Sequence, residues 1–171
     1  DAIAAGKKIL VLINPPYAAA TNRGNTAQVG DAEYKSGVAD TKFAATAMAD
    51  YGRASNELFT QFVARIAHEI PTATLAMFST LKYINAPDFE IFRQKWGATY
   101  RGGFVVHNQA FDGLKGKFPI GFLIWQTNQG SSSRITEVVA EALDKEARAI
   151  GEKKFFNIPK YCNRLFFTCI F

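Results

Sequence analysis

The feature that most limits the fold is a break. Residues 8–13, Lys-Ile-Leu-Val-Leu-Ile, run into Asn14-Pro15-Pro16-Tyr17. A leucine and β-branched run of this length reads as a buried strand of a parallel sheet, because both faces carry apolar side chains. Two consecutive prolines then remove two backbone donors, so the ladder ends there. In open α/β sheets ligands gather at the carboxyl ends of such strands, which is where this tetrapeptide falls.

The pattern beyond it alternates. Residues 18–39 are rich in Ala, Thr, Asn and Gly and show no hydrophobic period; a loop of that length inside a domain is expected to be a mobile, functional lid. Residues 41–51 fit a short helix ending at Gly52. Leu58, Phe59, Phe62, Val63, Ile66 and Ala67 have helical spacing, with Ser55 or Asn56 to cap the start and Pro71 to close the end. Residues 74–79 read as a strand, and Asp88 as the cap of a helix carrying Phe89, Phe92 and Trp96. Residues 102–107 and 118–126 read as two further strands, separated by a loop over 108–117. After the polar break at 129–134, residues 135–143 and 151–157 can pair as a hairpin. A helix over 135–149 fits nearly as well, because Ala, Glu and Leu favour it. The pattern implies an α/β fold.

Composition narrows the class. With 48% hydrophobic and 20% charged residues, the 171-residue chain suits one folded domain. The longest apolar runs, 9–13 and 118–125, fall far short of the roughly 20 residues of a membrane helix, and no membrane partner is expected. Cys162 and Cys169 form no disulfide framework, so a reducing cytoplasm is the expected compartment. His68 and His107 share no ligand spacing with them, and no metal is expected. The net charge of +5 suits a polyanionic partner. A start at Asp1 and an apolar stretch at 165–171 are expected of a piece of a longer protein.

The tetrapeptide also has a chemistry. Asn14 offers a side-chain carbonyl, and Pro15 and Pro16 offer carbonyls without competing N–H groups. The proline rings fix those acceptors in place. Tyr17 adds a flat aromatic surface. Two fixed acceptors beside an aromatic plate suit a planar group bearing an NH₂. Accepting both amine hydrogens draws the nitrogen lone pair out of conjugation and makes the nitrogen a usable nucleophile.

Asn14-Pro15-Pro16-Tyr17 resembles the (Asp/Asn/Ser)-Pro-Pro-(Tyr/Phe) signature of the amino-methyltransferases. From about residue 7 to 127 the chain is similar to the adenine-N6 DNA methyltransferases of restriction–modification systems. The resemblance implies part of a Rossmann-like, mixed but mostly parallel sheet, and methyl transfer from S-adenosylmethionine to the N6 amine of an adenine flipped out of double-stranded DNA. It places Asn14 and the Pro15 carbonyl on the amine, with Pro16 completing the turn. Tyr17 would stack on one face of the base and Phe111 on the other, and Leu58 and Phe59, with Asn14, would lie on the cofactor side. Residues 1–128 would be the substrate-side half of the catalytic domain, and 129–171 an extension, a possible hairpin opening a following region.

One departure is large. The family grips its cofactor with a Gly-rich turn, Phe-x-Gly-x-Gly, placed before the signature. Only 13 residues precede Asn14, and the 13 glycines include no Gly-x-Gly. The principal S-adenosylmethionine motif is absent, so the chain alone is expected to be inactive. The missing cofactor half, or other domains of the same polypeptide, becomes an expected partner. Lys82, Lys115 and Lys117 are candidates for DNA phosphates, as are Arg23 and Lys35 in the long loop. Two other functions stay open: a protein-glutamine N5-methyltransferase, whose amide is also a planar NH₂, and a non-catalytic DNA-binding or subunit-interaction module.

Overall fold

A computed structural model describes residues 2–3, 5–16, 41–111, 118–127 and 135–157. The long segment 18–39, the break at 129–134, Tyr17, Arg23, Lys35, Lys115, Lys117, Cys162 and Cys169 lie outside the described residues. The elements run β1 (Leu10–Ile13), α1 (Lys42–Thr46), α2 (Leu58–Glu69), β2 (Thr74–Thr80), α3 (Lys82–Asn85), α4 (Glu90–Lys95), β3 (Ala98–His107), β4 (Pro119–Thr127), β5 (Glu137–Leu143) and β6 (Ala149–Phe156). Three-residue-per-turn segments at Gly52–Asn56, Pro87–Phe89 and Asn108–Ala110 connect some of them.

The fold is α/β, built on one six-stranded mixed sheet in the order β1-β2-β4-β3-β5-β6. β1 with β2 and β3 with β5 pair parallel; the other three pairings are antiparallel. This corrects the expectation of a mostly parallel sheet. Four strands do share a direction, but β4 is inserted against them between β2 and β3, and β6 folds back on β5. The alternative left open for 135–149 resolves as the hairpin. Asp144 decides it locally: its carboxylate accepts the backbone N–H groups of Glu146 and Arg148, both at 2.9 Å, and closes the turn.

β1 is the largest departure from expectation. It is an edge strand rather than a buried one: it pairs with β2 alone among the described residues, and Leu10 and Leu12 are 68% and 67% exposed. A run apolar on both faces predicts burial on both faces. Here one face packs on the core and the described residues leave the other open.

The core lies on one face of the sheet, between Leu75, Met77, Leu123, Trp125 and Val138 and the helices. α2 turns Phe59, Val63, Ala64 and Ala67 inward. It starts at Glu57 without a side-chain cap, not at a Ser55 or Asn56 cap, because the Ser55 hydroxyl donates to the Gly52 carbonyl. Asp88 likewise caps nothing: Pro87 opens a tight turn and Asp88 pairs with Arg53 at 3.3 Å. Aromatic rings fill the centre. Tyr83 meets Phe59, Phe92, Trp96 and Trp125 edge-on at 5.8 to 6.4 Å between centroids. The Trp125 indole N–H donates to the Tyr83 hydroxyl at 3.1 Å, and burial pushes the Tyr83 phenol far above its ordinary pKa. Arg93 is fully buried and donates to the carbonyls of Tyr83 and Ala86, the last turn of α3 and its cap.

Candidate functional site

Shared strand direction brings three segments to one edge of the sheet: the exits of β1, β2 and β3, joined by the entry of antiparallel β4. Asn14-Pro15-Pro16 follows β1 directly, with Asn14 and Pro16 exposed and Pro15 buried. Ile13 is in register with Met77, so Asn14 falls beside Phe78. The prolines end the ladder there, as their missing N–H groups require.

The β3 exit is locked by Asn108, which is fully buried. Its N–H donates to the Phe118 carbonyl at 3.1 Å, its Oδ1 accepts the Phe118 N–H at 3.3 Å, and its carbonyl accepts the Phe111 N–H at 3.0 Å. One residue, through its backbone and its side chain, thus pins both feet of the loop between β3 and β4. Nδ1 of His107 accepts the Gln109 N–H at 3.1 Å, which settles the start of the turn. The result is a fixed place for Phe111. Its ring meets Phe78 edge-on, at 5.8 Å and 80°.

Phe78 is the hub of an aromatic cluster that the sequence did not reveal. It lies 4.7 Å from Phe122 and 6.3 Å from Phe104, and Phe104 stacks on Phe122 at 5.4 Å. All four rings are half-buried. They occupy the sheet face away from the core, because Phe78 registers with Phe122 and Phe122 with Phe104. Leu12 shares that face through its register with Ala76 and the Ala76 pairing with Ile124. The signal for Phe78 was the alternation of β2, but which face it occupies follows from pairing between distant strands.

The expected site residues therefore divide. Asn14, Pro15, Pro16 and Phe111 come to one sheet edge. Lys82 lies at the same edge, on the β2 exit, with its ammonium 3.3 Å from Glu57. Leu58 is half-buried at the start of α2. Phe59 is 1% exposed and packs between Tyr83 and Phe89. Its ring is committed to the core, so any cofactor-side role would be support from beneath rather than contact.

Of the three residues expected on the cofactor side, Phe59 is a core ring, Leu58 is half-buried and Asn14 is exposed. Among the described residues no group of three or more His, Cys, Asp or Glu is placed to hold a metal, and no helix is long and apolar enough to cross a membrane.

No family profile and no curated protein matches the chain. Solved structures give weak likeness. A DrdV–DNA complex studied by cryo-EM is 11% identical, with a TM-score of 0.44 over 81% of this chain and 15% of that one. The ATP-dependent Type ISP restriction-modification enzyme LlaBIII bound to DNA is 14% identical, with a TM-score of 0.41 over 90% and 10%. A nuclease-deletion mutant of the Type ISP restriction-modification enzyme LlaGI, in complex with a DNA substrate mimic, is 10% identical, with a TM-score of 0.41 over 92% and 13%. The chain thus spans no more than about a seventh of these proteins, and likeness at such scores does not establish a shared fold.

Proposed function

We propose that this chain is the substrate-side part of an adenine-N6 DNA methyltransferase of a restriction–modification system. The observation that carries the reading is that an exposed Asn14, on a proline-fixed turn after β1, and the half-buried Phe111–Phe78 ring pair lie at the same end of the sheet. The acceptors of Asn14 and Pro15 would take the two hydrogens of an exocyclic amine. An adenine inside a duplex cannot reach them, so the base would be flipped out. Stacking against aromatic rings contributes about 1–3 kcal/mol per base, offsetting part of the unstacking cost. Tyr17, which follows Pro16 in the sequence, would supply one such surface and Phe111 the other.

S-adenosylmethionine would supply the electrophilic methyl group. The Gly-rich turn that would grip it is absent from the sequence, so on this reading a cofactor-holding half comes from elsewhere in the same polypeptide or from a partner chain. The open face beside β1 favours a second reading, a subunit-interaction module without catalysis of its own. One experiment separates the two. The intact reading frame containing this segment is expressed in a host lacking adenine methylation, and its DNA is digested to nucleosides for mass spectrometry. N6-methyladenine that disappears with Asn14→Ala and with Tyr17→Ala is the expected result. A folded, well-expressed protein that leaves no N6-methyladenine would overturn the methyltransferase reading.

A further inference from the structure

A cavity of about 480 Å³ opens between the exit of β2 and the entry of β4. Thr80, Leu81, Lys82, Asn85, Phe118 and Pro119 line it. It lies on the other side of β2 from the Asn-Pro-Pro turn, because β2 sits between β1 and β4. Two strand spacings separate β1 from β4, about 10 Å, or about three nucleotides along a stacked strand at 3.4 Å each. The volume suits a small organic ligand.

Its lining divides by chemistry. Leu81, Pro119 and the half-buried Phe118 ring form apolar walls. Asn85 carries both a donor and an acceptor, and Thr80 a hydroxyl. Lys82 supplies a cation. It is held by Glu57 at 3.3 Å, with its own side chain 55% exposed. Its Glu57 partner is only 16% exposed, so the ammonium keeps that carboxylate and a phosphate would approach it from its open side. Phe118 is preorganised, since the Asn108 clamp holds both its N–H and its carbonyl. Aromatic plate, amide and cation within one cavity match base, base edge and phosphate.

We propose that this cavity is a second nucleotide subsite. It takes a nucleotide of the DNA strand a few positions from the flipped adenine, with its phosphate at Lys82, its base against Phe118 and its edge read by Asn85. The proposal rests on the DNA reading above, but its test does not need methyl transfer. The ¹⁵N-labelled chain is titrated with deoxyadenosine monophosphate, with deoxyadenosine, and with a short single-stranded oligonucleotide. Amide shifts are expected at Thr80, Leu81, Asn85 and Phe118. Lys82→Gln should weaken the monophosphate about fivefold, the loss of one partly exposed charge contact, and leave deoxyadenosine unchanged. Asn85→Ala should weaken both.

Shifts absent from the cavity with all three probes would overturn the proposal, as would monophosphate binding indifferent to Lys82→Gln. The two readings fail separately. Nucleotide binding here without N6-methyladenine in cells would remove the methyltransferase and keep the subsite. N6-methyladenine with an unresponsive cavity would do the reverse.

Discussion

Gly102 and Gly103 offer a test of the sheet in which each variant controls the other. Both have positive φ, +135° and +144°. A side chain at either is strained, at about 1–3 kcal/mol. Their surroundings differ. A Cβ at Gly102 meets nothing within 4 Å, whereas one at Gly103 would lie 2.2 Å from the Phe122 carbonyl oxygen and 2.9 Å from the Leu123 Cα. Carbon–oxygen contacts in sheets sit at about 3.3–3.6 Å, so β3 and β4 would have to part by about 1 Å. Overpacking of that kind adds about 1–3 kcal/mol. Gly102→Ala should therefore cost about 1–3 kcal/mol and Gly103→Ala about 2–6 kcal/mol. Urea unfolding followed by tryptophan fluorescence reads the difference. With a slope near 2 kcal/mol per molar, the Gly103→Ala midpoint should fall about 1 M below that of Gly102→Ala. Coincident midpoints, or a lower one for Gly102→Ala, would mean that the β3–β4 approach is looser than the register implies.

Other outcomes follow from the same geometry. Tyr83→Phe keeps the ring but strands the buried Trp125 indole N–H, and should cost about 1–3 kcal/mol by urea unfolding. The Asp144 carboxyl is held below its ordinary value, first by the Arg148 backbone N–H. Its contribution is therefore fully present above the unfolded pKa of about 3.9 and is lost as pH falls through the lower folded value. Asp144→Asn should lower stability at neutral pH and flatten the acid limb of a melting-temperature profile. Ala147 sits at φ +61°. Ala147→Gly should relieve about 1–2 kcal/mol of left-handed strain against about 0.5–1 kcal/mol of added chain freedom, so the melting temperature should not fall and should rise by no more than about 6 °C. Leu10→Thr with Leu12→Thr should change the stability of this chain by no more than about 0.5 kcal/mol each, as exposed positions do.

What the sequence makes legible is local. The apolar runs at 74–79 and 118–126 and the helical spacing from Leu58 to Ala67 each produce the element they predict, within a residue or two at the ends. What it hides is pairing. Nothing in residues 118–126 says that the strand runs against its neighbours, because an antiparallel strand buried on one face and half-covered on the other carries much the same side chains. The caps are hidden for another reason. Ser55 and Asp88 have the right chemistry, but each finds a nearer partner, the Gly52 carbonyl and the Arg53 guanidinium. For the site, the proline turn is legible because it is contiguous. Its aromatic neighbour Phe78 is not, since only the register of β1 on β2, and the Asn108 clamp that aims Phe111, bring those rings beside Asn14.

Two gaps among the described residues are one gap on the proposed reading. Full burial of a leucine side chain is worth about 1.5–3 kcal/mol, and two-thirds of that is unrealised at both Leu10 and Leu12. Their face is also the face of Phe78, Phe104 and Phe122, and Asn14 follows at the next step of the β1 alternation. On that reading an amine held at Asn14 would need a methyl donor on the side opposite its acceptors, and the Gly-rich turn that would grip one is absent from the sequence. A layer laid across the β1 edge would cover the leucines, border the aromatic cluster and stand where the donor has to be. Packing and chemistry thus ask for the same missing surface, which is why the Leu10→Thr, Leu12→Thr pair, near neutral here, should weaken the intact protein by about 2–4 kcal/mol if that surface is its own.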